Sequence, residues 1–86
     1  MRAVISVTGE DKVGILAKVS GECANADVNV VDVTQTILGN MFVMVMNVEI
    51  KGDVVEFRKH LEEYGKNNSL DIHVKNEEIF NAMHRI

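Results

Sequence analysis

Gly9-Glu10-Asp11-Lys12-Val13-Gly14-Ile15-Leu16 is the stretch whose reading decides the fold of this chain. It follows the extended apolar run Ala3-Val4-Ile5-Ser6-Val7 and leads into residues with helical spacing. A strand over about Arg2 to Thr8 therefore ends at Gly9, and a helix from about Lys12 to Ala26 follows, with Asp11 as its N-cap. Gly14 then falls in the first turn of that helix, where the missing Cβ leaves backbone N–H groups open to approach. Helix starts hold unsatisfied donors and a partial positive charge, which suit a small anion or a carboxylate. Gly14 serving only the close packing of a strand-to-helix turn is the alternative, and local chemistry alone leaves both open.

Working outward, strand one sends Ala3, Ile5 and Val7 to one face and Arg2, Val4, Ser6 and Thr8 to the other. Ile15, Leu16, Val19, Cys23 and Ala26 form the buried stripe of the first helix, with Lys18 and Glu22 outside it. Val28 to Leu38 and Met41 to Ile50 read as two strands joined by Gly39-Asn40, residues that both tolerate positive φ. The row Phe42, Met44, Met46, Val48, Ile50 is unbroken and apolar, and Met41, Val43 and Val45 extend apolar character to the other face. That strand is expected to be central, with its methionines as core filler rather than copper ligands. A second helix opens at Asp53, with Glu56 completing a capping-box-like pattern. Val54, Phe57, Leu61 and Tyr64 mark its buried side, and Gly65 with Asn67-Asn68 marks its end. Leu70 to Lys75 alternates as a half-exposed strand, and Asn76 to Ile86 reads as a short amphipathic helix capped by Asn76.

Strand, helix, strand, strand, helix, strand folds with right-handed crossovers into a ferredoxin-like α+β sandwich. Four antiparallel strands carry both main helices on one face, and the C-terminal helix is an addition. Eighty-six residues make one small domain, 1–86, with 76–86 as a helical extension. A net charge of −4 argues against nucleic acid or an anionic membrane as partner. The Met-Arg start leading straight into a strand does not read as a signal peptide, and no apolar run is long enough to span a membrane. The one cysteine, Cys23, has no internal disulfide partner, so a reduced, cytoplasmic protein is expected.

A fold of this kind hosts unrelated functions, so function must come from residues. The first loop has no paired cysteines for a soft metal and no arginine for a phosphate. Phe42 is the one aromatic on the central strands, too few for a base-stacking surface. His60, His73 and His84 lie far apart without ligand spacing, and no nucleophile stands in an activating context. Neither an enzyme nor a metal or cofactor site is expected.

The Gly9–Leu16 stretch, followed by Asp27-Val28-Asn29-Val30, resembles the signature of the ACT domain, a small regulatory module that often senses amino acids. The resemblance runs the length of the chain. The ending Ile79-Phe80-Asn81-Ala82-Met83-His84-Arg85-Ile86 resembles that of short, free-standing bacterial ACT proteins whose function is unassigned. In ligand-binding members, the first loop and the start of the second strand form a pocket at a subunit interface. The resemblance therefore implies a ligand site made by Asp11, Gly14 and Ile15 from the loop and by Asn29 and Val30 from the strand. Backbone N–H groups around Gly14 and Ile15 would hold a carboxylate, and Asn29 would bond the ligand's amine or side chain.

Two departures stand out. Val13 occupies a position where many members carry proline, and Asp11 one where amino-acid binders often have a neutral amide. Asp11 would repel a ligand carboxylate or would bind its ammonium; simple helix capping is the third possibility. Asn29 could equally be a turn-and-edge residue satisfying backbone. The expectation is a non-catalytic regulatory module, dimeric, binding an amino acid or similar metabolite between subunits. A ligand-free interaction module, acting on a partner protein through its sheet edge or C-terminal helix, is the alternative. The dimer is argued from physics as well. The Val28–Leu38 strand lies at an edge with Asp32 as its one internal charge, and Met41, Val43 and Val45 leave an apolar patch bare. A second subunit, meeting either the edge or the outer sheet face, would cover these features.

Overall fold

Period-two alternation makes strands of the segments expected to be strands, and a computed structural model shows how they pair. It describes residues 1–10 and 13–78. Elements run β1 (Arg2–Glu10), α1 (Ile15–Asn25), β2 (Val28–Leu38), β3 (Met41–Ile50), α2 (Val54–Asn67) and β4 (Asp71–Asn76). The four strands form one antiparallel sheet in the order β2-β3-β1-β4. This is the ferredoxin-like arrangement expected, with β3 and β1 central and β2 and β4 at the edges.

The core lies between one face of the sheet and the two helices. Ala3, Ile5 and Val7 of β1, the whole row from Phe42 to Ile50 of β3, and Ile72 and Val74 of β4 are buried there. Ile15, Val19 and Cys23 from α1 and Phe57 and Leu61 from α2 complete it, while Leu16, Val54 and Tyr64 are half-buried against it. Ala26, placed in the stripe by its spacing, is exposed, because α1 has already ended at Asn25. Burying one such aliphatic side chain contributes about 1.5–3 kcal/mol, so the β3 row is the main cohesive feature of the sheet. Val4 is also buried although it points the other way, lying on a central strand between Asn47 and Lys75.

Several local details depart from the sequence expectation. Strand β1 runs on to Glu10, because Gly9 and Glu10 still pair with Phe42 and Met41. In the β2–β3 hairpin only Gly39 takes positive φ, at 64°, so one left-handed residue suffices for the turn. Strand β2 carries a bulge between Val30 and Asp32. Strict alternation from Val28 would turn Asp32 onto the core. The extra residue, Val31, shifts the phase so that Asp32 pairs with Asn47 and Val33 with the buried Met46. The edge strand thus has a bulge as well as a charge for protection.

Helix α2 starts as read: the Asp53 carboxylate accepts from the N–H groups of Val55 (2.9 Å) and Glu56 (3.2 Å). It continues through Gly65, however, and ends at Asn67. Gly65 is there for space. A Cβ on it would sit 2.6 Å from the Leu70 carbonyl oxygen, where the returning chain crosses under the helix. Asn76 accepts from the Glu78 N–H at 2.8 Å, as a cap would. The remainder of the terminal helix read from the sequence lies outside the described residues.

Gly65→Ala is therefore expected to destabilise the protein by about 1–3 kcal/mol through backbone overpacking, despite better helix propensity. Gly21→Ala, in α1 with nothing within 4 Å of the new Cβ, is expected to stabilise by up to about 1 kcal/mol. Urea unfolding of the two variants should show midpoints moving in opposite directions.

Candidate ligand-binding site

The first loop differs most from its sequence reading. Helix α1 begins at Ile15, three residues later than expected, and Gly14 is its N-cap with φ 83° and ψ 12°. Glycine is there for its left-handed backbone, a conformation that costs residues with a Cβ roughly 1–2 kcal/mol. Its carbonyl accepts from the Lys18 N–H at 2.9 Å, closing the first turn. Among the described residues no side chain caps this helix, and its first turn contains no acid. Asp11, expected as the cap and as a site residue, lies outside the described residues.

Of the other expected site residues, Gly14 is exposed and Ile15 is buried beneath the helix start. Asn29 is exposed on the outer face of β2, and Val30 is half-buried against the core. The loop pair and the strand pair do not meet within one subunit. The register aligns Arg2 with Glu49 and Asn29 at one end of the sheet, and Glu10 with Met41 and Leu38 at the other. Eight residues of strand separate those levels, roughly 26 Å at 3.3 Å per residue.

Each pair adjoins a different cavity. Near the start of β2 a hollow of about 350 Å³ has a floor of Val28, Ile50 and Phe57 and a rim of Asp53, Glu56 and His60. His60 Nε2 lies 2.6 Å from Glu22 Oε1, joining α2 to α1 at that end. At the opposite end a hollow of about 280 Å³ lies between the first loop and the end of α2. Its wall is Val13, Ile15 and Leu70, and Lys18, Tyr64, Asn67 and Ser69 bring polar groups to it. Sequence reasoning took Lys18 for a solvent residue and Asn67 for a helix stop. Only the β1–β4 pairing, which brings the two segments to one end of the sheet, shows them to be neighbours. Along the hairpin, Gln35, Thr36, Ile37 and Phe42 line a third groove of about 320 Å³.

Two groups have altered acidity. Burial, and secondarily Glu22, push the Cys23 thiol up to about 11. Burial and then Glu22 also raise the Tyr64 phenol above its ordinary range. Both are protonated near neutrality, so Cys23 is an inert core residue and Tyr64 a hydrogen-bond donor. Among the described residues no three His, Cys, Asp or Glu side chains are grouped to hold a metal.

A family model described as the ACT domain matches residues 2–75. A UPF0237 protein of Clostridium perfringens is 44% identical over 89 residues, covering all of both chains. Among solved structures, an ACT domain protein from Streptococcus pneumoniae is 37% identical, with a TM-score of 0.83 and 98% of each chain covered. The ligand-free regulatory subunit of aspartate kinase from Thermus thermophilus is similar in fold alone. It is 23% identical with a TM-score of 0.71, covering 88% of this chain and 51% of that one.

Gly14→Val should cost stability, about 1–2 kcal/mol or more from positive φ, although a valine in the first helical turn would have been tolerated. Chemical denaturation measures this directly. Alkylation tests the Cys23 environment. A shift from 9.0 to about 11 lowers the thiolate fraction about a hundredfold at mildly alkaline pH. Iodoacetamide should therefore label native protein at least that much more slowly than urea-unfolded protein. The charged form is disfavoured in the fold, so this contribution to stability is intact below the unfolded thiol's pKa and fades as pH rises toward 11.

Proposed function

Since this chain belongs to the ACT domain family, we propose that it is a non-catalytic regulatory module binding an amino acid or similar small metabolite between two subunits. ACT domains are typically regulatory, ligand-binding modules. The observation that carries the finer reading is the placement of the two half-sites. Gly14 and Ile15 lie at one end of the sheet and Asn29 and Val30 at the other, on an edge strand. Two β2 edges paired antiparallel about a two-fold axis would carry Asn29 of the partner subunit to the end of the sheet that holds the Gly14 loop. Closed two-fold pairing is the commonest form of self-association and needs only one surface.

Exposed apolar residues support the same pairing. Val31, Ile37 and Leu38 on β2 and Met41 at the start of β3 are 39–65% exposed. The bulge interrupts the edge near its beginning and leaves Val33 to Leu38 in regular register with β3. A strand joining there would gain main-chain hydrogen bonds and cover these side chains.

In this reading the ligand carboxylate lies at the start of α1, where Gly14 lets it approach the backbone, and Asn29 of the partner subunit meets its polar end. No residue of the site is asked to do chemistry.

Sedimentation equilibrium at micromolar concentration should give twice 9.6 kDa, and a thermal-shift screen of the twenty amino acids should give at least one clear hit. At about a hundred times its dissociation constant a ligand adds about 2.7 kcal/mol, upwards of about 10 °C for a domain this small. Asn29→Ala should reduce that shift while leaving the unliganded melting temperature close to the parent's. A concentration-independent monomer would defeat the interface site. A dimer with no amino-acid response would favour the ligand-free interaction module, with the exposed β2 edge as its working surface.

A further inference from the structure

We propose that the hollow between the first loop and the end of α2 is a second ligand site, complete within one subunit, for a small aliphatic carboxylic acid. This goes beyond the interface reading and does not rest on it. Three separate segments build the hollow: Val13 to Lys18, the last turn of α2, and the turn into β4. Lys18 brings an ammonium, Tyr64 a phenol, Asn67 an amide and Ser69 a hydroxyl. No carboxylate is among the described lining residues. The cavity at the other end of the sheet has both Asp53 and Glu56.

The donors are available. Among the described residues, no hydrogen bond or ion pair engages the side chains of Lys18, Tyr64, Asn67 or Ser69. Tyr64 keeps its proton at neutral pH, because burial and, secondarily, Glu22 push its phenol pKa up. Glu22 itself is occupied by His60. Two of the helix carbonyls at this end are already bonded. Tyr64 O accepts from Asn68 Nδ2 at 2.8 Å, and Gly65 O accepts from the N–H groups of Asn68 at 3.1 Å and Leu70 at 2.8 Å.

The apolar half of the hollow asks for a ligand body. Val13 is 98% exposed, and Ile15 and Leu70 stand on the same wall. An aliphatic chain lying on these three would remove Val13 from water, at about 25 cal/mol for each Å² covered. The wall is set in advance. Ser69 is held at φ 57°, and Gly65 lies against the Leu70 carbonyl with no room for a Cβ. Binding therefore orders little beyond the Lys18 and Asn67 side chains. A cation and neutral donors on one side with an aliphatic wall on the other select a short carboxylate over an amine or a neutral amide.

The test is a ¹H–¹⁵N correlation titration of the full chain with 4-methylpentanoate, set against the isosteric 4-methylpentanamide and isoamylamine. The carboxylate should shift the amides of residues 13–18 and 64–70 saturably, and the other two should not. Lys18→Gln, at an exposed position that the fold does not use, should weaken the response about tenfold, and Lys18→Arg should keep most of it. Absence of a saturable shift at millimolar carboxylate, an equal response to the amide, or indifference to Lys18→Gln would each overturn the proposal. Asn29→Ala separates the two sites, because it should leave this titration unchanged while altering the amino-acid response of the interface. Carboxylate shifts gathered at Asn29 and Val30 would overturn the second site and leave the interface reading standing.

Discussion

Everything in this fold depends on covering one side of its two central strands. Ile5 and Val7 of β1 and the β3 row from Phe42 to Ile50 are shielded almost completely, and both helices are committed to doing it. With the helices on one face, the other face has no helical cover among the described residues, and β2 and β4 are left as edges. The bulge in β2 follows from the same demand. Val28 and Val30 must face the core, and so must Val33, yet Val33 stands three positions after Val30, an odd step that alternation would turn outward. Inserting Val31 as the unpaired residue satisfies both apolar pairs and sends Asp32 outward. One irregularity costs less than a buried carboxylate with no partner.

Features fixed by neighbouring residues were legible in the sequence. The Asp53 cap needs only its own side chain and two N–H groups within three positions, and it is found as read. The alternation of β3 and the element order were equally clear, since each rests on period alone. Asp11 and Gly14 illustrate the limit. A residue-type rule prefers aspartate as an N-cap, but the loop geometry makes left-handed Gly14 the cap position and starts the helix at Ile15. Gly65 shows the converse. It looks like a helix terminator in isolation, and its reason is the Leu70 carbonyl five residues on, visible only when the chain folds back. The bulge was hidden because Val30, Val31 and Val33 are apolar on both parities, so period two gives no phase.

The candidate site was legible only in part, for the same reason. Family resemblance singled out two half-sites, but neither spacing nor composition says that they lie at opposite ends of a sheet. That separation comes from the antiparallel register of β1, β3 and β2. The residues around the smaller cavity were passed over because Lys18 and Asn67 are far apart in the chain, and each has an ordinary local role. Their proximity is a property of the β1–β4 pairing, which no single segment encodes.

Helix α2 lines both cavities, with Phe57 and His60 at one end and Tyr64 and Asn67 at the other, and helix α1 also reaches both ends. The first turn of α1 contributes Ile15 and Lys18 to the smaller cavity, and Ala26, just past its end, lines the larger. Ile15, Val19 and Cys23 lock it against the sheet, and Glu22 ties its last turn to His60 of α2. A helix so held moves as a unit if it moves at all, because displacing one buried side chain strains the packing of the others. A ligand at the Lys18 end can therefore influence the β2 edge only by preferring one position of the whole helix, and no further than its differential affinity for the two positions allows. The exposed Glu22–His60 contact is the weakest of these restraints, while the buried stripe is the strongest. Any such coupling would accordingly pivot about the stripe, with its amplitude at the Gly14 end. There the backbone already occupies a left-handed conformation, and no described side chain caps the start of the helix.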